Sequence, residues 1–308
     1  MRIPHAVCIK ENPERLTIMN KTLKINPSAL FDVASGLIER QRSYGAVPDI
    51  HMEEAGLFLD ECLGLLFPQM ARQRPKSPRE VEARLIQMIG KLRYTLCEVM
   101  PEQCTRAEGI AMRFAMALPK IADQVRLDAQ AAMDGDPAAG SLDEVILAYP
   151  SVYAVASYRL ANLLVHEDVP LLPRLMGEYA HRLTGIDINP GATIGQGLFL
   201  DHGTAIVIGE SAIIGNNVKI YQGVTLGALS VKRTLRHVKR HPTIEDDVVI
   251  YANATILGGD TVIGRGSVIG GNVWVTKSVP PGSRVMYRSV GWQGLSEPEP
   301  ERADDFTI

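Results

Sequence analysis

The sequence predicts an α+β chain: an α-helical N-terminal domain, residues 1–184, followed by a parallel β-helix of hexapeptide repeats over residues 185–290. Two observations predict it. As far as Leu183 the apolar residues recur at helical spacing, and after Gly185 they recur every six residues. A third excludes the main competitor: no helical segment separates the six-residue units, so a doubly wound α/β sheet is disfavoured.

In the first part, Leu30, Val33 and Leu37 form one stripe, and Val81, Leu85, Ile89, Leu92 and Leu96 form another. Ser77-Pro78-Arg79-Glu80 reads as a helix start, with a cap, a proline at the first helical position and a glutamate three residues after the cap. Thr105 with Glu108 and Ser141 with Glu144 repeat that box. Breaks fall between Pro68 and Pro75, at Met100-Pro101, and at Asp134-Gly135-Asp136-Pro137. This half shows no chemistry of its own.

In the second part Ile188, Ile194, Leu200 and Ile206 are six apart, and Ile208, Ile214, Ile220 and Leu226 continue after a two-residue phase shift. After an interruption, Ile244, Ile250 and Ile256 resume the period. Leu257, Ile263, Ile269 and Val275 complete it, with a seven-residue step from Ile256 to Ile263 that implies a local bulge. Small residues follow repeatedly, as in Ile194-Gly195, Ile214-Gly215 and Ile263-Gly264. The aliphatic side chains point into a narrow prism and the small residues permit its tight corners, three hexapeptides to a coil. The interruption, residues 228–243, holds Lys232, Arg233, Arg236, Lys239 and Arg240 and must leave the prism as a basic loop. Such a loop on a rigid scaffold suits an anionic ligand, although a solvated charge run has the same composition.

Composition narrows the classes. At 46% hydrophobic and 22% charged, 308 residues can bury a real core. A net charge of −3 offers no general basic surface for nucleic acid. No apolar run is long enough to span a bilayer, and residues 1–21 lack a signal-peptide core, so a soluble cytoplasmic protein is expected. Cys8, Cys62, Cys97 and Cys104 form no CxxC pair, which predicts reduced thiols and no metal cluster. The tail, residues 291–308, is acidic and proline-bearing and reads as flexible.

The ordered motifs are more specific than the repeat. Asp187-Ile188-Asn189-Pro190-Gly191-Ala192, Leu200-Asp201-His202-Gly203-Thr204, Val224-Thr225-Leu226-Gly227 and Arg240-His241-Pro242 together resemble the signature of the serine acetyltransferases. The resemblance runs from about Asp136 to Val279 and implies that the prism is left-handed. It departs at Gly227-Ala228, where many relatives have two glycines, and in the longer basic loop.

The chemistry can be argued beside the resemblance. Acyl transfer to an alcohol needs a base near the hydroxyl, and His202 is the candidate. The resemblance implies Asp187 as the carboxylate that orients it, as in a catalytic triad. It implies Asp136 and Asp201 at the ammonium of L-serine, and Arg240 and His241 at its carboxylate, where a guanidinium can bind in a fork. Acetyl-CoA is the implied co-substrate, with Gly227, Ala228, Ala252, Gly270 and Gly271 as contacts, positions that the coil corners also demand; no metal is implied. Further expectations are a homotrimer or dimer of trimers, with each site shared between neighbouring chains, and L-cysteine as feedback inhibitor. Ile308 is expected to insert into the active site of O-acetylserine sulfhydrylase. Three alternatives stay open: a hexapeptide acetyltransferase for a sugar or xenobiotic, a zinc-dependent carbonic anhydrase of similar fold, disfavoured by the spacing of His202, His237 and His241, and a non-catalytic β-helix scaffold.

Overall fold

The computed structural model describes residues 26–44, 48, 50–230 and 238–287. The basic-loop residues Lys232, Arg233, Arg236 and His237, together with Cys8, the tail and Ile308, lie outside the described residues. The chain divides into two units, residues 1–48 and 49–308. The first holds helix α1, Pro27–Ser43, started by the Asn26 side chain, which accepts from the Ser28 N–H at 3.1 Å. None of its residues is buried, and Leu30, Val33 and Leu37 are each more than half exposed.

The second unit opens with six helices: α2 (Met52–Leu66), α3 (Pro78–Val99), α4 (Cys104–Gly135), α5 (Leu142–Ala148), α6 (Pro150–Val165) and α7 (Leu172–Thr184). Ser77 and Ser141 cap α3 and α5, accepting from the backbone N–H of Glu80 and Glu144. Thr105 does not cap α4. A 3₁₀ turn over Pro101–Gln103 carries the chain directly into the helix, which begins one residue before Thr105. That tight turn also brings the ends of α3 and α4 together, and Cys97 and Cys104 are joined in a disulfide with Cα atoms 4.5 Å apart, well within bonding range. The expectation of four free thiols is thereby corrected; Cys62 alone among the described cysteines is free, and it is buried.

Among the described residues fourteen short strands follow, β1 (Asp187–Ile188), β2 (Thr193–Ile194) and β3 (Phe199–Asp201) making the first coil, and β4 (Val207–Ile208), β5 (Ile213–Ile214) and β6 (Lys219–Tyr221) the second. The third has β7 (Thr225–Gly227), β8 (Thr243–Ile244) and β9 (Val249–Ile250), with the basic loop between β7 and β8. The fourth has β10 (Thr255–Leu257), β11 (Val262–Ile263) and β12 (Val268–Ile269), and the fifth β13 (Trp274–Val275) and β14 (Arg284–Val285). They stack as three parallel sheets: β1-β4-β7-β10-β13, β2-β5-β8-β11 and β3-β6-β9-β12-β14. The six-spaced aliphatics fill the interior, with Ile208, Ile220, Leu226, Ile250 and Ile269 at 1% exposure or less. The seven-residue step is taken up after β10 by Gly258, whose φ of 106° only glycine adopts readily.

The phase shift has a structural meaning. Ile188 pairs with Ile208, twenty residues on, whereas Ile208 pairs with Leu226, eighteen on. The two extra residues enlarge the corner between β3 and β4, where His202, Gly203 and Ala205 have φ of 56°, 74° and 62°. A Cβ on Gly203 would lie 2.4 Å from Ile186 Cδ1, so glycine is required by conformation and by space.

Helix α6 joins the two cores, giving Leu160 and Leu164 to the helical cluster and Val155 and Tyr158 to the prism. A buried ion pair lies at the joint: Arg159 binds Asp128 through two contacts of 2.7 and 2.8 Å and donates to the Gly195 carbonyl at 2.7 Å. Asp128 in turn accepts from the Leu198 N–H at 2.9 Å, so each charge has hydrogen bonds beyond the pair itself.

Candidate active site

His202 sits exposed in the enlarged β3–β4 corner. Across the first ladder, the Ala205 N–H donates to Gly185 O at 2.8 Å and the Asp187 N–H to Ile206 O at 2.9 Å, so Asp187 flanks the corner that carries His202. Asp187 faces outward from β1, opposite the inward Ile188, and is half-buried. The carboxylate and the imidazole share a corner, and no hydrogen bond joins them in the single chain.

Asp201 also faces outward, at the end of β3, and its side chain is 14% exposed. One coil on, Lys219 of β6 places its ammonium 3.8 Å from Asp201 Oδ2, 4.8 Å from the centre of the Phe199 ring and 4.9 Å from that of Tyr221. The same ammonium donates to the Gly135 carbonyl at 2.6 Å, holding the C-terminal end of α4 against this wall. Asp136, the next residue, is therefore beside Asp201 within one chain. Its carboxylate accepts from the Tyr149 hydroxyl at 2.5 Å and from the Ala138 N–H at 2.8 Å. These two bonds, the Tyr149 one foremost, hold Asp136 below the usual carboxylate range, with smaller help from the charges of Lys219 and His202. The Tyr149 hydroxyl is pushed up to about 12 by the same bond.

Arg240 and His241 lie at the other end of β4, where the basic loop rejoins the prism. Arg240 pairs with Glu210. Ser211 organises the turn: its hydroxyl accepts from the N–H of Arg240 at 2.9 Å and of His241 at 3.2 Å, and its own N–H donates to His241 Nδ1 at 3.0 Å. The ring is neutral with its proton on Nε2. It covers Gly209, where a Cβ would meet His241 at 2.0 Å. Burial, reinforced by the Arg240 charge, lowers its pKa from 6.5 to about 4. One chain thus groups Asp136, Asp201 and His202 on one corner, with Arg240 and His241 on another.

The candidate acetyl-CoA contacts divide in the same way. Ala252, Gly270 and Gly271 lie at the corner on the His202 side; Gly227 and Ala228 lie at the far end of β7. A Cβ on Gly271 would come within 3.1 Å of Ala252 O, and one on Gly227 within 2.8 Å of the Leu257 side chain, so coil stacking alone favours small residues at these two positions. Among the described residues no His, Cys, Asp and Glu cluster could hold a metal ion, and no helix is long and apolar enough to cross a membrane. Sequence reasoning missed Tyr149, Lys219, Glu210 and Ser211. Lys219 had a faint signal, since it precedes the inward Ile220 and so must face out from the wall that bears Asp201; Tyr149 had none.

The chain matches no protein-family model. It is 53% identical over 189 residues to a plasmid-encoded serine acetyltransferase of Synechococcus elongatus, covering 60% of this chain and 59% of that one. It is 46% identical over 184 residues to the serine acetyltransferase of Mycobacterium tuberculosis, covering 60% of this chain and 78% of that one. The chain belongs to the serine acetyltransferase family. Solved serine acetyltransferases superpose on it as well: isoform 3 of Entamoeba histolytica in complex with cysteine, at a TM-score of 0.68 and 34% identity over 78% of this chain and 84% of that one, and the soybean enzyme complexed with serine, at 0.53 and 28% over 78% and 98%. The helical part followed by a parallel β-helix is the serine acetyltransferase architecture, as the sequence predicts.

Proposed function

We propose that this chain carries out the reaction of its family, moving the acetyl group of acetyl-CoA to the hydroxyl of L-serine to give O-acetyl-L-serine and free CoA. The observation that carries the reading is the enlarged β3–β4 corner, which presents His202 beside Asp201 and the Asp136 carboxylate. His202 accepts the hydroxyl proton as the serine oxygen bonds to the thioester carbon. As the carbon–sulfur bond breaks, the imidazolium returns that proton to the leaving thiolate. Asp187 orients the imidazole and stabilises its charged form. No acyl-enzyme is required, because the acceptor supplies the nucleophile.

Asp136 and Asp201 bind the ammonium of serine, and Arg240 and His241 receive its carboxylate. Because these pairs sit at opposite ends of β4, the site is completed by a neighbouring copy, which fits a trimer. The soybean enzyme's complex with serine supports the acceptor, and the Entamoeba complex with cysteine supports L-cysteine as a competitor at the same groups. Acetyl-CoA lies along the corner that includes Ala252, Gly270 and Gly271, where Ala252 and Gly271 are half-buried and carry small side chains. The test is CoA release with L-serine, repeated with sugar hydroxyls and other amino acids. The reading expects turnover with serine, competitive inhibition by L-cysteine against serine, and none with sugars; turnover with a sugar alone would replace the acceptor.

A further inference from the structure

We infer that Lys219 is a positioning residue of the acceptor site, latching the end of helix α4 to the prism wall and tuning the charge of the two carboxylates that meet serine's ammonium. This inference rests on the acetyltransferase reading and adds to it a residue from outside the motifs that carry it.

Three observations bear on it. The Lys219 ammonium donates to Gly135 O at 2.6 Å, at the carbonyl end of a helix, where a cation is favoured. The next residue is Asp136, so the latch fixes the backbone that presents this carboxylate. The ammonium is also 3.8 Å from Asp201 Oδ2 and lies over the Phe199 and Tyr221 rings, 4.8 and 4.9 Å from their centres, with Tyr221 stacked on Tyr251 at 5.0 Å. The space beneath is closed, since a Cβ on Gly135 would meet Phe199 at 2.8 Å. The third observation is charge. Asp136 and Asp201 carry two negative charges, Lys219 one positive, and the remainder matches a single substrate ammonium. The other ionisable groups facing the cluster are Glu144 of α5, Tyr149 just before α6, Tyr221 of β6 and His202 from the β3–β4 corner.

This arrangement predicts a division of labour that a merely structural lysine would not show. Without the cation, Asp136 loses its fixed backbone and serine binds less well, while the acetyl-CoA corner is untouched.

The experiment compares wild type, Lys219→Met and Lys219→Arg, each shown by circular dichroism and light scattering to be folded and of wild-type size. Serine-dependent CoA release is measured, and acetyl-CoA binding by calorimetry. We expect Lys219→Met to raise KM for L-serine on the order of tenfold, the loss of one charge-assisted contact. Acetyl-CoA binding and kcat should hold. Lys219→Arg should restore most of the lost serine binding. A Lys219→Met enzyme with unchanged KM for serine would overturn the inference, as would equal losses in kcat, serine binding and acetyl-CoA binding that arginine fails to rescue. Absence of serine turnover in the wild type would instead overturn the acetyltransferase reading.

Discussion

Asp136 and His241 show how neighbours set protonation around the acceptor site. Asp136 has its carboxyl pKa lowered, so its contribution to stability is present above the ordinary value of ~3.9 and is lost as pH falls through the lower folded value. Tyr149→Phe removes the largest cause. In that variant the Asp136 carboxyl carbon should titrate at higher pH by NMR, and KM for serine should rise severalfold. An unmoved titration would mean that the Tyr149 bond does not set the carboxylate. His241 runs the other way. Its folded pKa is near 4 against 6.5, so between those values the unfolded chain binds the extra proton and stability rises with pH. Thermal melts should show the wild type losing stability from pH 6.5 down to 4, and His241→Gln a flatter slope over that window.

At the scale of elements, the joint between helices and prism hangs on the Asp128–Arg159 pair, both members under 5% exposed. Removing one partner strands the other charge, so Arg159→Met should cost about 3–5 kcal/mol in denaturant unfolding, whereas the same substitution at Arg113, whose exposed side chain pairs with Glu167, should cost far less. Much of this level was legible in the sequence. The six-residue period marked the inward residue of each strand from β1 to β13 but not β14, and the two-residue phase shift between Ile206 and Ile208 was legible, while its meaning, the enlarged corner that carries His202, came from the structure. Ser77 and Ser141 announced their helices because a hydroxyl three residues before a glutamate is a local device. Thr105 failed as a cap because the 3₁₀ turn at Pro101 had already started the helix, and the Cys97–Cys104 bond was missed because that turn, not any Cys spacing rule, brings the two together. The Asp128–Arg159 pair and the Lys219 latch join residues 31 and 84 positions apart, beyond the reach of any local pattern.

For the whole molecule, the placement of Asp201 and His202 at one end of β4 and of Arg240 and His241 at the other predicts a site shared between copies. His202→Ala and Arg240→Ala chains, each nearly inactive alone, should regain activity when unfolded together and refolded as mixed assemblies, since some sites then unite an intact His202 with an intact Arg240. No recovery in assemblies shown by mass spectrometry to contain both chains would place the whole site within one chain.

The central claim is that His202 is the base that activates the hydroxyl of serine. The most direct measurement is serine-dependent release of free thiol from acetyl-CoA by wild type and His202→Ala, at equal folded concentration and with acetyl-CoA binding verified for both. The wild type should release thiol in the presence of serine, and kcat should fall by about 10²–10⁴ in the variant with acetyl-CoA affinity retained. A variant that keeps wild-type kcat would contradict it.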